Sequence, residues 1–334
     1  MKRCLWWAFT FFLLICIAVP LHASESLGVH YIDVGQGDST LVQLPSGQTI
    51  LIDGGTTSAG YTVVDYLNSL GIPGIDHLIS THPHEGHIGG LITVLKEISV
   101  DKVYMPRATH TTRTFENFLL AIQEKGLRIT EGKAGVALDI GNEATATFVG
   151  AVGASYDDLN NYSAVLRLTY GETSFLFTGD AEVLSEREMM AGNLPLEADV
   201  LKVGHHGSRT STSEAFLKEV EPSVAVISVG KDNTYGHPHS EVLARLARHG
   251  VATFRTDIHG TVVVISDGQT LQVRIERDGE TPEPTPLMYI GNRNSKIFHL
   301  PSCSSLPAPH NRVDLKSLAE AMQMGFVPCK RCNP

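Results

Sequence analysis

Short apolar or alternating apolar–polar runs recur through residues 27–275. Within residues 27–55 the runs LGVHYIDVG, STLVQLP and TILIDGG are broken by Gly, Pro and Ser. A period of two with such breaks predicts paired strands. Residues 60–70 carry a helical pattern instead, and Gly71 and Pro73 end it.

Strands and helices alternate through the following segment. The patterns predict strands at DHLIST, KVYMP, 144–149, 163–170, 173–178, ADVLKV, SVAVISVG, 251–255 and 261–275, and helices at 87–98, 113–126, 182–191, 212–220 and 239–249. Hairpins recur among them, so two mixed sheets with helices outside fit better than a doubly wound sheet. We therefore predict one large α/β domain at 27–276.

The two ends of the chain read differently. Residues 277–287, RDGETPEPTPL, contain three prolines and no apolar periodicity, which predicts a linker before a small module at 288–334. Residues 1–23 combine a basic start with an apolar run of about 16 residues, short of the about 20 that span a bilayer. We expect a cleaved signal peptide, and hence a secreted or periplasmic protein without an integral membrane domain; the alternative is an uncleaved anchor.

Composition narrows the function classes. The chain has 334 residues, of which 42% are hydrophobic and 19% charged, as in ordinary globular proteins. Its formal net charge of -10 argues against a broad electrostatic surface for nucleic acid, although a local one is compatible with it.

Histidines cluster where predicted strands end. The stretch STHPHEGHIGG holds His82, His84 and His87, and the other candidates are Asp180 in FLFTGDAE, His205 and His206 in LKVGHHGS, and His237 and His239 in YGHPHS. Imidazole and carboxylate groups suit Zn²⁺ or Mn²⁺, and such an ion lowers the pKa of a bound water toward about 7. These loops therefore predict a metal centre.

The first cluster resembles the His-x-His-x-Asp-His signature of the metallo-β-lactamase superfamily. Residues 27–275 resemble more closely the hydrolase-like domain of bacterial DNA-uptake (competence) proteins, through HYIDVGQGDSTLVQLPSGQTILIDGG, LKVGHHGSRTSTS and YGHPHSEVLARLARHG. The resemblance implies a four-layer αββα sandwich that binds one or two Zn²⁺ ions, with Mn²⁺ possible. It places His82 and His84 on the first metal, Asp180 between two metals, and His87 and His205 on the second.

Further residues around these ligands have expected roles. Asp53 would orient the first cluster through hydrogen bonds, although an Asp before Gly-Gly also suits a turn. Asp38 is interpreted as structural. His237 would protonate a leaving oxygen or steady a phosphoryl oxygen, unless it only belongs to a proline turn. Candidate substrate contacts are Asn161, His206, Ser208, Asn233 and Tyr235, and sequence alone does not decide whether His205 or His206 is the ligand.

Two positions depart from the superfamily pattern. Asn160 and Asn161 stand where the third histidine of the first metal is usual, and Gly86 stands where an Asp binds the second metal. Adjacent side chains on a turn point apart, so Glu85 is not expected to replace that Asp. We therefore expect a weakly held second metal.

The C-terminal module carries a second ligand set. His299 and Cys303 in IFHLPSC, with Cys329 and Cys332 in GFVPCKRC, predict a tetrahedral Cys₃His zinc site. The alternative is one disulfide and a free thiol. The module resembles the zinc-binding domain of the Ada DNA-repair protein, with His299 where that family has a cysteine, so a structural or binding role is expected rather than methyl transfer.

These observations predict an exported metal-dependent hydrolase of phosphodiester bonds, with DNA favoured by resemblance. The rival within the enzyme class hydrolyses a cell-envelope phosphoester. The rival outside it is a binding protein for extracellular DNA or envelope polymer, with a degenerate site.

Overall fold

The computed structural model describes residues 26–279, 289–301, 303–316 and 318–332. The predicted signal peptide and most of the predicted linker lie outside the described residues. Within the described ranges, none of the helices combines the length and the apolarity that crossing a bilayer requires.

The large domain contains fourteen strands and eight α-helices within residues 26–279. The strands are β1 Leu27–Tyr31, β2 Thr40–Gln43, β3 Thr49–Ile52, β4 Gly74–Ile79, β5 Ser99–Met105, β6 Ile129–Glu131, β7 Ala144–Phe148, β8 Leu166–Tyr170, β9 Thr173–Phe177, β10 Val200–Lys202, β11 Val224–Ile227, β12 Ala252–Arg255, β13 Val262–Ser266 and β14 Leu271–Ile275. The helices are α1 Gly60–Ser69, α2 Glu85–Ile88, α3 Leu91–Glu97, α4 Arg113–Glu124, α5 Val183–Ala191, α6 Glu214–Val220, α7 Ser240–Arg248 and α8 Thr256–His259.

Two sheets pack face to face. One has the order β14-β13-β1-β2-β3-β4-β5-β6, and the other β12-β11-β10-β9-β8-β7. Alternate residues of both sheets point inward and form a shared core that includes Tyr31, Phe148 and Phe177. The apolar side chains on the inner faces of the two sheets pack against each other, and this shared burial holds the sheets together.

Helices cover the two outer faces. Leu51 on the first sheet packs with Leu91 of α3 and Phe118 of α4. Leu201 on the second sheet packs with Phe216 of α6 and Val242 of α7. The result is the four-layer αββα arrangement that the sequence predicted.

Strand direction brings the candidate loops to one edge. Strands β3 and β4 run parallel in the first sheet, and β9, β10 and β11 run parallel in the second. Parallel strands present their carboxyl ends on the same side, so the loops after these five strands meet there. Those loops carry the histidine clusters and Asp180.

The helix predicted over 87–98 is interrupted, and α2 and α3 replace it. The break falls at Gly89 and Gly90, where the loop before α1 lies directly on the helix backbone. A Cβ on Gly90 would lie 1.9 Å from the Gly54 carbonyl oxygen, so only glycine permits this approach. Periodicity does not reveal such a tertiary contact.

The C-terminal module is a small sheet with its own core. Its strands β15 Tyr289–Asn292, β16 Ile297–His299, β17 Arg312–Leu315 and β18 Val327–Pro328 pair in the order β17-β15-β16-β18, and helix α9 spans Leu318–Gln323. Tyr289, Phe298, Leu315 and Phe326 form the centre of that core. A core this small stabilises the module only weakly, so a further stabilising element is expected.

Candidate metal centre

The turn after β4 brings the first histidine cluster to the sheet edge. His82 and His87 are buried, and their ring centroids lie 4.1 Å apart. His82 Nε2 lies 3.0 Å from His84 Nδ1. His82 in the turn, His84 just before α2 and His87 within α2 thus have their rings close together.

Asp180 lies at the centre of the histidines. Its Oδ2 is 3.2 Å from His87 Nε2 and 3.6 Å from His82 Nε2. The same oxygen is 3.6 Å from His206 Nε2 and 3.8 Å from His205 Nε2. Asp180 Oδ1 is buried, and no donor among the described residues bonds to it. Several imidazole nitrogens around one carboxylate with an unused oxygen form a donor set that fits a divalent metal ion.

Asp53 lies behind this set. Its Oδ2 accepts hydrogen bonds from His87 Nδ1 at 2.8 Å and from Thr81 Oγ1 at 2.6 Å, and its Oδ1 accepts from Thr81 N at 2.8 Å. A carboxylate oxygen only accepts, so His87 Nδ1 carries a proton, and Nε2 faces Asp180. A hydrogen bond from Nδ1 to Asp53 would hold the His87 ring with Nε2 directed at a bound metal.

The electrostatic balance of the cluster favours added positive charge. Burial would raise the pKa of Asp180, but His206, His87 and His82 hold it well below its usual range. Burial would lower the pKa of His87, but Asp180 and Asp53 raise it well above the usual value. His82 behaves oppositely, because burial and the neighbouring His87 hold its pKa well below 6.5. The site thus retains a proton on one imidazole next to its carboxylates.

The adjacent histidines after β10 present both rings toward Asp180. His205 and His206 have φ values of 48° and 54°, a left-handed backbone that costs free energy in non-glycine residues. His206 is buried and its Nδ1 donates to the Ser228 carbonyl at 3.0 Å, which leaves Nε2 for a ligand. His205 is more exposed and its Nδ1 lies 3.2 Å from Glu182 Oε1. The geometry therefore favours His206 over His205, the residue that the resemblance placed on the second metal.

The predicted substrate residues separate into two groups. Tyr235 and His237 line the cleft, and their rings stack with centroids 5.7 Å apart. Ser208 bonds to Thr210 at 3.0 Å, and Asn233 bonds to the backbone of Gly230 and His237, so both stabilise loops.

Asn160 rather than Asn161 lines the cleft. Asn161 Oδ1 accepts from the Ser185 backbone N at 3.2 Å, inside the domain. Asn160 Oδ1 is buried without a hydrogen-bond partner among the described residues. Successive residues of one 3₁₀ turn face different directions, and the sequence did not indicate which one faces the cleft.

His237 is a neutral imidazole in this setting. Burial, followed by His205 and His206, lowers its pKa to about 4. Near neutral pH it therefore offers a hydrogen bond rather than a stored proton. Burial and Arg209 likewise lower the pKa of His239, whose Nδ1 accepts from Arg209 N at the start of α7.

The sequence analysis missed Lys202 and His110 at the site, and it interpreted Asp38 as structural. Asp38 Oδ1 lies 3.2 Å from His206 Nδ1, and Asp38 Oδ2 lies 2.7 Å from the buried Lys202 Nζ. The ring of His110 lies 5.7 Å from that of His84. Lys202 carried a usable signal, because a lysine inside the apolar run ADVLKV must find a buried partner. His110 carried none.

These side chains surround one cleft of about 540 Å³. Its lining comes from both sheets and comprises Gln36, Gly37, Thr56, His84, Glu85, Gly86, His87, His110, Thr112, Asn160, Asp180, His205, His206, Tyr235 and His237. Glu85 Oε1 accepts from Thr57 N at 2.7 Å, so its carboxylate points away from His87.

Four residues of the C-terminal module form a separate cluster. His299, Cys303, Cys329 and Cys332 each offer a ligand atom within 4.8 Å of the others. All three cysteines are free thiols, so the disulfide alternative does not occur in this structure. The backbone N of Ser305 donates to Cys303 Sγ and that of Arg331 to Cys329 Sγ, each at 3.4 Å. One imidazole and three sulfurs fit a tetrahedral metal site.

Residues 32–231 match the family model described as Metallo-beta-lactamase superfamily. The chain belongs to this superfamily. Residues 272–334 match a second model, described as Metal binding domain of Ada. The fold and both resemblances inferred from the sequence are thereby confirmed.

Three curated relatives of this superfamily member are more than 30% identical to it. ComE operon protein 3 of Bacillus subtilis is 36% identical over 260 residues, covering 73% of this chain and 33% of the relative. Recombination protein 2 of Haemophilus influenzae is 32% identical, covering 81% and 33%. Competence protein ComA of Neisseria gonorrhoeae is 33% identical, covering 69% and 31%. The chain therefore spans about a third of the length of these relatives.

Proposed function

We propose that this chain is an exported, metal-dependent hydrolase of phosphodiester bonds, and that DNA is its favoured substrate. The observation that carries the proposal is the convergence of four histidines on one oxygen of Asp180, beside an open cleft. Membership of a superfamily of mostly hydrolases, and the names Recombination protein 2 and Competence protein ComA among the relatives, support it.

The donor set supports a metal centre in the large domain. His82, His84 and Asp180 would hold a first ion, and Asp180, His87 and His206 a second, with Zn²⁺ or Mn²⁺ as candidates. A divalent ion bound there would supply Lewis acidity and lower the pKa of a water molecule. In the module, His299 and the three cysteines would hold one structural Zn²⁺.

The chain's own residues would position the substrate. His237 is neutral near pH 7 and its Nδ1 has no hydrogen-bond partner among the described residues, so the ring is available to a phosphoryl or leaving oxygen. Tyr235 is exposed beside it and offers a face on which a base can stack. Asn160 lines the same cleft and contributes an amide.

A hydrolysis panel tests this proposal. The purified chain, loaded with Zn²⁺ or Mn²⁺, is assayed on bis-p-nitrophenyl phosphate, p-nitrophenyl phosphate, single-stranded DNA, duplex DNA and RNA. We expect diester cleavage that a chelator abolishes and that exceeds monoester cleavage. The matched control is Asp76→Asn, because Asp76 accepts hydrogen bonds from Thr49 away from the cleft.

The rival proposal is a binding protein, and the absence of a carboxylate at Gly86 favours it. A folded, metal-loaded chain that cleaves none of these substrates, yet retains DNA or an envelope polymer in a binding assay, would establish the rival. Cleavage of the small diester without cleavage of DNA would retain the hydrolase and exclude the favoured substrate.

A further inference from the structure

Gly86 occupies an ordinary helical position in α2. It has no positive φ, and a Cβ built on it would lie 3.6 Å from Gly37 Cα and 3.8 Å from the Gln36 carbonyl oxygen. These are normal contact distances, so neither backbone strain nor crowding requires glycine at this position. What needs explanation is how the site compensates for the absent carboxylate.

The loop between β1 and β2 places another carboxylate beside the same helix. Asp38 N donates to the Gly86 carbonyl oxygen at 3.1 Å, and the Asp38 carbonyl accepts from Gly55 N at 2.7 Å. At Gly37 an added Cβ would lie 2.4 Å from the Gly86 oxygen, so the close contact depends on glycine there. The backbone of Asp38 is therefore fixed on both sides, next to the residue that lacks a side chain.

The Asp38 side chain has one engaged oxygen and one unused oxygen. Oδ2 pairs with Lys202 Nζ at 2.7 Å, and that ammonium also donates to the Val203 carbonyl at 2.9 Å. Oδ1 is buried, lies 3.2 Å from His206 Nδ1, and makes no hydrogen bond to the described residues. A buried carboxylate oxygen without a donor is costly unless a cation completes it.

Asp38, Asp180 and His206 each offer a ligand atom within 4.8 Å of the other two. We propose that Asp38 supplies the carboxylate ligand that Gly86 lacks, and thereby joins Asp180, His87 and His206 in the second cation site of the cleft. The proposal rests on the metal-dependent function proposed above. It replaces the expectation of a weakly held second ion with a site whose carboxylate comes from a different loop.

A double-mutant cycle between Asp38 and Gly86 tests the assignment. Asp38→Asn, Gly86→Asp and the double variant are made in the full chain, and bound Zn²⁺ and Mn²⁺ are counted by mass spectrometry after equilibrium dialysis. We expect Asp38→Asn to weaken the second ion of the large domain by about tenfold or more. Gly86→Asp should change the wild type by less than about threefold, yet restore the Asp38→Asn chain to near wild-type affinity.

Two further variants separate ligation from folding. Asp33→Asn is the matched control, because Asp33 lies in the same loop and pairs with Arg277 at 2.6 Å instead of facing the cleft. Asp38→Asn/Lys202→Met removes both members of the buried ion pair, so it avoids an unpaired lysine. It should still lose the second ion while unfolding cooperatively on heating.

The outcomes separate this proposal from the proposed function. If Asp38→Asn or its Lys202→Met combination keeps both ions, or if Gly86→Asp raises affinity equally in both backgrounds, the assignment of Asp38 is wrong. If the cycle behaves as expected but no phosphodiester is cleaved, the hydrolase proposal fails while the assignment of Asp38 stands.

Discussion

Asp53→Asn should weaken metal binding at His87 while leaving the fold intact. Asp53 is fully buried and has φ 59°, a conformation that asparagine tolerates better than most residues. The amide oxygen can still accept from Thr81 N. The amide nitrogen then replaces Oδ2, and it donates to Thr81 Oγ1 and to His87 Nδ1.

That exchange leaves the proton of neutral His87 on the wrong nitrogen for a ligand. In the wild type a metal ion would displace the Nε2 proton, while Nδ1 keeps its proton for Asp53. With Nδ1 accepting in the variant, the neutral ring carries its one proton on Nε2, which lies 3.2 Å from Asp180 Oδ2 and donates to it. A protonated Nε2 cannot bind a metal, so binding would require that proton to move to Nδ1, where the amide donates. Changes of this kind typically cost about 10- to 100-fold in metal affinity. Three hydrogen bonds lose their charged acceptor, so unfolding should become easier by about 1–3 kcal/mol.

Calorimetric titration with Zn²⁺ measures the metal affinity, and ¹⁵N spectra of the imidazoles report which nitrogen of His87 is protonated. The matched control is Asp76→Asn, a substitution at a carboxylate that also accepts from a backbone N and a threonine hydroxyl. It should change stability without changing metal affinity. If Asp53→Asn binds the second ion within about threefold of the wild type, then Asp53 does not orient a metal ligand.

Asp180→Ala should abolish chelator-sensitive hydrolysis, because it removes the oxygen shared by the histidines; retained turnover in a folded variant would exclude the metal mechanism. Cys329→Ala should release one Zn²⁺ and unfold the module while the large domain melts unchanged; unaltered module protection in hydrogen exchange would exclude the zinc site. Burial lowers the pKa of His30 to about 4, so stability should be lost as pH falls from about 6.5 through 4, by about 3 kcal/mol at most; His30→Gln should flatten that dependence in thermal scans.

Local patterns predicted the architecture because both periodicities are strong here. The short apolar runs in β1–β3 match strands that the fold buries on both faces, and the helical spacing in α4 matches the face that this helix buries. The interruption between α2 and α3 was not predictable from periodicity. It depends on Gly90 meeting Gly54, a residue far away in the sequence.

Features of the candidate centre that lie within a single loop were predictable, and contacts between different loops were not. The residue type and spacing of the histidines at the strand ends were enough to predict a metal centre. Asp38 was interpreted as structural, because its importance arises from Gly86 and His206, which other loops bring to it. The orientation of Asn160 and Asn161 depends on a turn, and the preference for His206 depends on left-handed backbone at both histidines.

The balance of buried charges in the site favours a bound cation over a site that has lost metal binding. Asp38, Asp53 and Asp180 are all buried, and Lys202 is the one lysine or arginine that is buried among the described residues. Three carboxylates next to one ammonium leave an excess of negative charge, which an interior of low polarity does not tolerate.

In the metal-free chain the raised pKa of His87 supplies part of the missing positive charge. A divalent ion must displace that proton, so metal affinity should rise with pH through neutrality and binding should release protons. Calorimetry in buffers of different ionisation enthalpy counts them. An affinity that does not change between about pH 6 and pH 8 would mean that His87 stays protonated beside the ion, and the charge argument for the second site would then fail.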